Sequence, residues 1–215
     1  LDCIKKNKPI PPFYKQHSQY LIFLISLINK KNLKILDFGG GWGVGYANLL
    51  EVLGQKKLIN INYDIFDLVD ICEIGKNNFK NKLNFNPKIK YINKFDKIGK
   101  NYDVIFFGSV IQYLKNPIET LNKICSLNIQ YLLFIDLYLT NTKTFFTKQK
   151  HYNFEAPHSF INIKEFENVF MKKYDILSKS YSHTVRLNQV GYLNMDNFKK
   201  KFRIDGSKNY CLKLK

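Results

Sequence analysis

An α/β fold built on a mostly parallel sheet is predicted by three features of this sequence. Short apolar runs alternate with amphipathic segments along most of the chain. A glycine cluster, "LDFGGGWG" at 36–43, follows the first of these runs. The alternation lapses only at the end, where two strand-like runs lack a clear helix between them. Helices therefore cover both faces of the sheet, and at least one late strand runs antiparallel.

The elements can be justified in order. Residues 1–14, "LDCIKKNKPIPPFY", are rich in Pro and Lys and read as irregular. Between Lys15 and Lys31, Tyr20, Leu21, Phe23, Leu24, Leu27 and Ile28 recur at helical spacing. "LKILDF", 33–38, is a buried strand that ends in turn residues. Val44 to Leu53 reads as a helix stopped by Gly54. "KLININYD", 57–64, is a second strand, Leu68 to Phe79 a helix, and "KIKYIN", 88–93, a third strand. "YDVIFFGS", 102–109, is a fourth strand. "PIETLNKICSL", 117–127, opens with Pro in its first turn, as a helix can. "YLLFIDLYL", 131–139, is the fifth strand, and the polar stretch 140–160 reads as a loop. Asn162 caps a helix over 162–173, with Glu165 at capping-box distance. Strands at 174–181 and 208–215 bring the total to seven, and 182–207 reads as a hairpin insertion or a small cap.

The 215 residues suit one domain, with 1–32 as a segment and helix packed on a core domain of 33–215. At 45% hydrophobic and 15% aromatic residues, the chain can bury a core, which excludes global disorder. The net charge of +17 would draw anionic partners. Yet Arg occurs only at 186 and 203, and Arg is the preferred bidentate reader of phosphate and guanine. Abundant Lys, Asn and Ile also fit a coding bias toward AT-rich codons. Cys3, Cys72, Cys125 and Cys211 are scattered without metal-ligand spacing, so no metal is expected, and free thiols suit a cytoplasmic protein. The longest uninterrupted apolar run, "YLIFLI" at 20–25, is too short to span a bilayer, and no secretory leader is read.

Glycine is costly to order, so a cluster of four needs a cause. The dinucleotide fingerprint G-x-G-x-x-G fails: its third glycine falls on Val44 in one frame and Tyr46 in the other. The pattern acid-x-G-x-G-x-G fits without a gap, as Asp37, Gly39, Gly41 and Gly43. From about residue 33 to the end, the chain resembles the class I S-adenosylmethionine-dependent methyltransferases. That resemblance implies a Rossmann-like fold with S-adenosylmethionine as cofactor. It gives Asp37 the cofactor's amino group and lays the methionyl and ribose parts along the glycines. A ribose needs a carboxylate at the end of the second strand, and "NYDIFDLV" offers Asp64, with Ile65 beside the adenine. Asp67 is the better cap for the helix that follows. "NKFDKIG" places Phe95 and Asp96 near the adenine amino group, and Gly108 and Ser109 end the fourth strand near the methionyl end. Asp103 reads as structural.

"SVIQYL", "FIDLYLTN" and "HSFINIKEFENVF" look like a methyltransferase family associated with bacterial surface-polysaccharide gene clusters. This implies a small-molecule or sugar-linked acceptor, phosphate- or nucleotide-bearing in keeping with the charge. A hydroxyl nucleophile needs its proton removed. The base is sought among His158, His151 and His183, with Asp136 to bind substrate or fix a tautomer. By resemblance to O-methyltransferases, His158 comes first. Tyr14 and His17 could close over the cofactor.

Two other readings compete. A nucleic-acid amino-methyltransferase would carry an acid, Asn or Ser followed by Pro-Pro and an aromatic after the fourth strand, where this chain has "GSVI". A non-catalytic binding domain need not keep the Asp37, glycine and Asp64 set.

Overall fold

The structure is a computed structural model that describes residues 17–80, 88–151, 154–182 and 195–215. Tyr14 and His183 lie outside the described residues. Seven strands form one sheet, in the spatial order Ile89–Ile92, Ile61–Phe66, Leu33–Phe38, Val104–Gly108, Tyr131–Leu137, Lys208–Leu214 and Tyr174–Tyr181. The chain divides into two compact units, Leu1–Gly108 and Ser109–Lys215.

In the first unit, α1 (Ser18–Ile28) leads into β1 (Leu33–Phe38), α2 (Val44–Leu58), β2 (Ile61–Phe66), α3 (Val69–Lys80), β3 (Ile89–Ile92) and β4 (Val104–Gly108). β1 pairs in parallel with both β2 and β4, and β2 with β3. The winding thus reverses between β1 and β4. Beyond the carboxyl ends of two such strands, an open sheet leaves a crevice for a ligand. β1 is buried along nearly its whole length, as its apolar run requires. Gly54 does leave the helical conformation, at φ 71, but one more helical turn follows and carries α2 to Leu58. β2 accordingly starts at Ile61, not at 57, and runs on to Phe66. Asp103 is structural: its carboxylate accepts from the Lys34 backbone N–H at 2.9 Å and from Lys30 Nζ at 2.6 Å.

The second unit holds α4 (Pro117–Cys125), β5 (Tyr131–Leu137), β6 (Leu139–Thr140), β7 (Phe145–His151), β8 (Phe154–Asn162), α5 (Ile163–Phe170), β9 (Tyr174–Tyr181) and β10 (Lys208–Leu214). β10 is antiparallel to both β5 and β9, so the late reversal is present. The stretch expected as a loop is instead an antiparallel β7–β8 hairpin, joined by β6 in a separate three-stranded sheet. Its polar residues hid an aromatic stripe. Phe145 stacks on Phe160 at 4.7 Å, and Phe198 and Phe202 pack against the same pair.

Asn162 caps α5, accepting from the Lys164 and Glu165 N–H groups. The return half of the capping box passes through Thr144. The Asn162 N–H donates to the Thr144 hydroxyl, which donates to Glu165. Among the described residues, no helix is long and apolar enough to cross a membrane.

Candidate functional site

The glycine loop joins β1 to α2, and its glycines answer two different demands. Gly39, Gly41 and Gly43 adopt φ of 74°, 61° and 104°, a region that penalises any side chain. Gly40 and Gly45 make room for neighbours instead. A Cβ at Gly40 would lie 2.5 Å from the Asp37 carboxyl carbon. One at Gly45 would overlap the Tyr63 hydroxyl and lie 2.7 Å from Asp37 Oδ2. The loop therefore closes tightly over an acid and a phenol.

Asp37 is 3% exposed and accepts a hydrogen bond from the Tyr63 hydroxyl at 2.7 Å. Burial lifts its pKa from 3.8 to about 7, the Tyr63 bond opposes the rise, Asp67 adds to it, and His17 lowers it. That shift disfavours the charged carboxylate by roughly 4 kcal/mol relative to water. Tyr63 in turn is pushed well above its usual value, by burial first and then by Asp37.

Three further contacts fix the loop. Gly39 N–H donates to the Phe66 carbonyl at 2.7 Å, extending the β1–β2 ladder. Gly41 N–H donates to Asp67 Oδ2 at 2.8 Å. The Tyr91 hydroxyl donates to the Trp42 carbonyl at 3.1 Å. A cavity of about 240 Å³ opens beside the loop, at the point where the winding reverses. Asp37, Gly39, Gly41, Asn48, Gly108 and His17 are among the groups that line it. His17 and Ser18 come from the start of α1, and the buried Asn48 amide donates to the Ser18 hydroxyl at 2.7 Å.

The set expected from sequence separates into parts. Asp37, Gly39, Gly41 and Gly108 gather at this cavity, while Gly43 is not part of its lining. Asp64 does not lie at the end of β2. It sits two residues before the end, where its carboxylate accepts from the Tyr102 hydroxyl at 2.6 Å. Asp67 occupies the position sought for Asp64, immediately after Phe66, and grips both Gly41 N–H and its neighbour Leu68 N–H. The triplet Phe66-Asp67-Leu68 directly before α3 was the signal that could have located it. Ile65 is fully buried and offers no face to a ligand. Phe95 packs edge-on against Phe38 and Phe66, and Asp96 beside it is exposed.

In the second unit, Ser109 takes a left-handed φ of 58°. Its hydroxyl and carbonyl both accept from the buried Gln112 amide, at 2.9 and 3.0 Å. Asp136 is also left-handed, at φ 57°, and is 6% exposed. Its carboxylate accepts from the Ser207 hydroxyl at 2.8 Å, and its N–H donates to the Asn209 side chain. These contacts hold the β5–β10 irregularity, and Asp tolerates that backbone better than most residues.

His158 is not on a loop. It lies on β8, 1% exposed, with the rings of Tyr138, Phe160 and Tyr113 at 4.8, 4.9 and 5.6 Å. His151 ends β7, and its side chain lies outside the described residues.

The raised Asp37 pKa predicts a pH signature. Between about pH 4 and pH 7 the native state holds a proton that the unfolded chain has lost, so stability falls as pH rises through that window. Asp37→Asn keeps an acceptor for Tyr63 and removes the titration. Its melting temperature should exceed that of the parent by about 10 °C at pH 8 and match it near pH 4. A difference that does not vary with pH would contradict the assignment.

Comparison with known proteins agrees with this geometry. A family model for a methyltransferase domain matches residues 15–174. No curated protein matches the sequence. Among solved structures, an S-adenosylmethionine-dependent methyltransferase from Clostridium acetobutylicum ATCC 824 is similar over 99% of this chain and 95% of that one. The identity is 16% and the TM-score 0.59. Magnesium protoporphyrin IX methyltransferase from Synechocystis PCC 6803, solved with bound S-adenosylmethionine, is similar over 94% of this chain and 78% of its own. Its identity is 10% and its TM-score 0.56. The N-terminal domain of EvdMO1, in the presence of S-adenosylhomocysteine and D-fucose, is similar over 94% and 84%, at 6% identity and a TM-score of 0.57. These likenesses establish the fold, and the family match spans well over half of the sequence. The chain belongs to the methyltransferase-domain family, as an S-adenosylmethionine-dependent enzyme of class I fold.

Proposed function

We propose that the chain methylates an oxygen of a sugar, or of a group carried on a sugar, in the cytoplasmic assembly of a capsule or lipooligosaccharide. The observation that carries the cofactor half of this reading is that Asp37 and His17 line one cavity. An α-amino acid group presents an ammonium and a carboxylate. Asp37 suits the ammonium. The start of α1, with His17 and the Ser18 backbone, suits the carboxylate, because a helix N-terminus favours an anion. Asp67, with each oxygen accepting one backbone N–H and retaining a free lone pair, suits the two ribose hydroxyls.

When bound, the cofactor supplies a methyl group on a sulfonium, so the reactivity comes with it. The protein's part is alignment and the acceptor's proton. Tyr113 follows β4 and Tyr138 follows β5, the strand ends where α/β folds hold ligands. Both rings touch His158, which supports it as the proton acceptor, reached when Tyr113, 36% exposed, turns aside. The polysaccharide setting is supported by the sequence motifs around 109–114, 134–141 and 158–170. Methylation of nucleic acid is disfavoured by "GSVI" after β4 and by the scarcity of Arg.

Calorimetric titration with S-adenosylhomocysteine tests the cofactor half. Asp67→Ala should weaken binding by about 30-fold or more, Asp64→Ala by less than about threefold, and NAD should not bind. The reverse order for the two acids would overturn the ribose assignment. For the proton, His158→Gln should lower kcat by about 100-fold while leaving S-adenosylhomocysteine affinity unchanged. Normal turnover in that variant would remove His158 from the chemistry.

A further inference from the structure

The second unit contains a crevice of its own. It measures about 160 Å³ and is lined by Leu139 to Asn141, by Tyr181 and by residues of the segment 201–208. Three cations, Lys201, Arg203 and Lys208, border it against a single carboxylate, Asp205. The crevice begins where β5 has just ended, with Leu139 to Asn141 on one side and the start of β10 on the other.

The cations are placed by the fold. Lys208 opens β10 and pairs across to Tyr181 on β9 and to Leu137 on β5, with its ammonium 5.5 Å over the Tyr181 ring. The Arg203 guanidinium donates from Nε to the Phe198 carbonyl at 2.9 Å and from Nη2 to the Asp196 carbonyl at 3.0 Å. Its Nη1 lies 3.8 Å from the Asp196 carboxylate. Lys201 lies 5.1 Å over the Phe202 ring, itself packed on Phe145. The Asp136 carboxylate, close in sequence to this wall, is engaged by Ser207.

Even with Asp196 counted against Arg203, the cations bordering this concave polar site outnumber the carboxylates by one, which suits a phosphoryl anion. Asn141, Thr140 and Asp205 add the donors and acceptors that sugar hydroxyls require. We propose that this crevice binds the phosphoryl group of a phosphorylated sugar acceptor. The word acceptor rests on the methyltransferase reading above; the anion site stands without it. The net charge then has a local use in one place, although most of the lysines are spread elsewhere.

The test is ¹H–¹⁵N NMR titration of the full chain with inorganic pyrophosphate, glucose 1-phosphate and glucose at constant ionic strength. Tighter binding of glucose 1-phosphate points to a sugar monophosphate, and tighter binding of pyrophosphate to a diphosphate-linked sugar. Either supports the site if the shifts saturate and centre on Thr140, Asn141 and Lys208. Lys201→Gln, on an exposed side chain, and Lys208→Gln should each weaken that binding by about tenfold. Lys123→Gln, on α4 and paired with Glu119, should leave it unchanged. Shifts scattered over surface lysines, or equal binding in all variants, would overturn the proposal. A parallel titration with S-adenosylhomocysteine keeps the two readings apart. Loss of that binding alone defeats the cofactor reading and leaves the anion site standing.

Discussion

Asp37 is a carboxylate with almost no water around it. It lies beneath a loop of backbone, and the Tyr63 hydroxyl is the group that donates to it. Much of the first unit is arranged around that contact. Gly40 and Gly45 lack side chains because Asp37 and Tyr63 fill the space that a Cβ would need. Tyr63 can reach the acid because β2 pairs in register with β1, and Tyr46 packs edge-on against its ring. Asp67 and Tyr91 then hold the loop from outside, one through a backbone N–H and the other through a carbonyl. The result is an acid kept near its titration point beside a cavity, at a cost in stability that a ligand's positive charge can offset.

The sequence made the sheet legible because its parallel strands are buried on both faces and read as apolar runs. The seven strands, the late antiparallel turn and the Asn162 cap all carry such local signals. The β7–β8 hairpin did not, because its apolar residues are spaced among Lys, Gln, Glu and His, and their partners Phe198 and Phe202 come from far along the chain. A period-two pattern diluted by polar residues resembles a loop until its partner strand is known.

At the site, the loop glycines and Asp37 were readable because their spacing is rigid. Asp64 was chosen over Asp67 for a physical reason. The strand read from sequence ends at Asp64, whereas β2 runs on to Phe66 and puts Asp67 directly after it. Gly54 breaks α2 without ending it, and β2 accordingly lies further along the sequence. The tyrosine partners were out of reach altogether. Tyr63, Tyr91 and Tyr102 meet the loop or its acids through tertiary contacts that no local pattern announces. His158 illustrates the same limit, since its aromatic enclosure depends on three segments separated in sequence.

The most direct measurement is proton release on binding S-adenosylhomocysteine at pH 6, from calorimetry in buffers of different ionisation enthalpy. With its pKa near 7, Asp37 is mostly protonated there and must give up that proton to pair with an ammonium. The account predicts release approaching one proton per site in the parent chain and none in Asp37→Asn. Tight binding without proton release, or equal release in both proteins, would contradict the claim that this buried acid receives the cofactor's amino group.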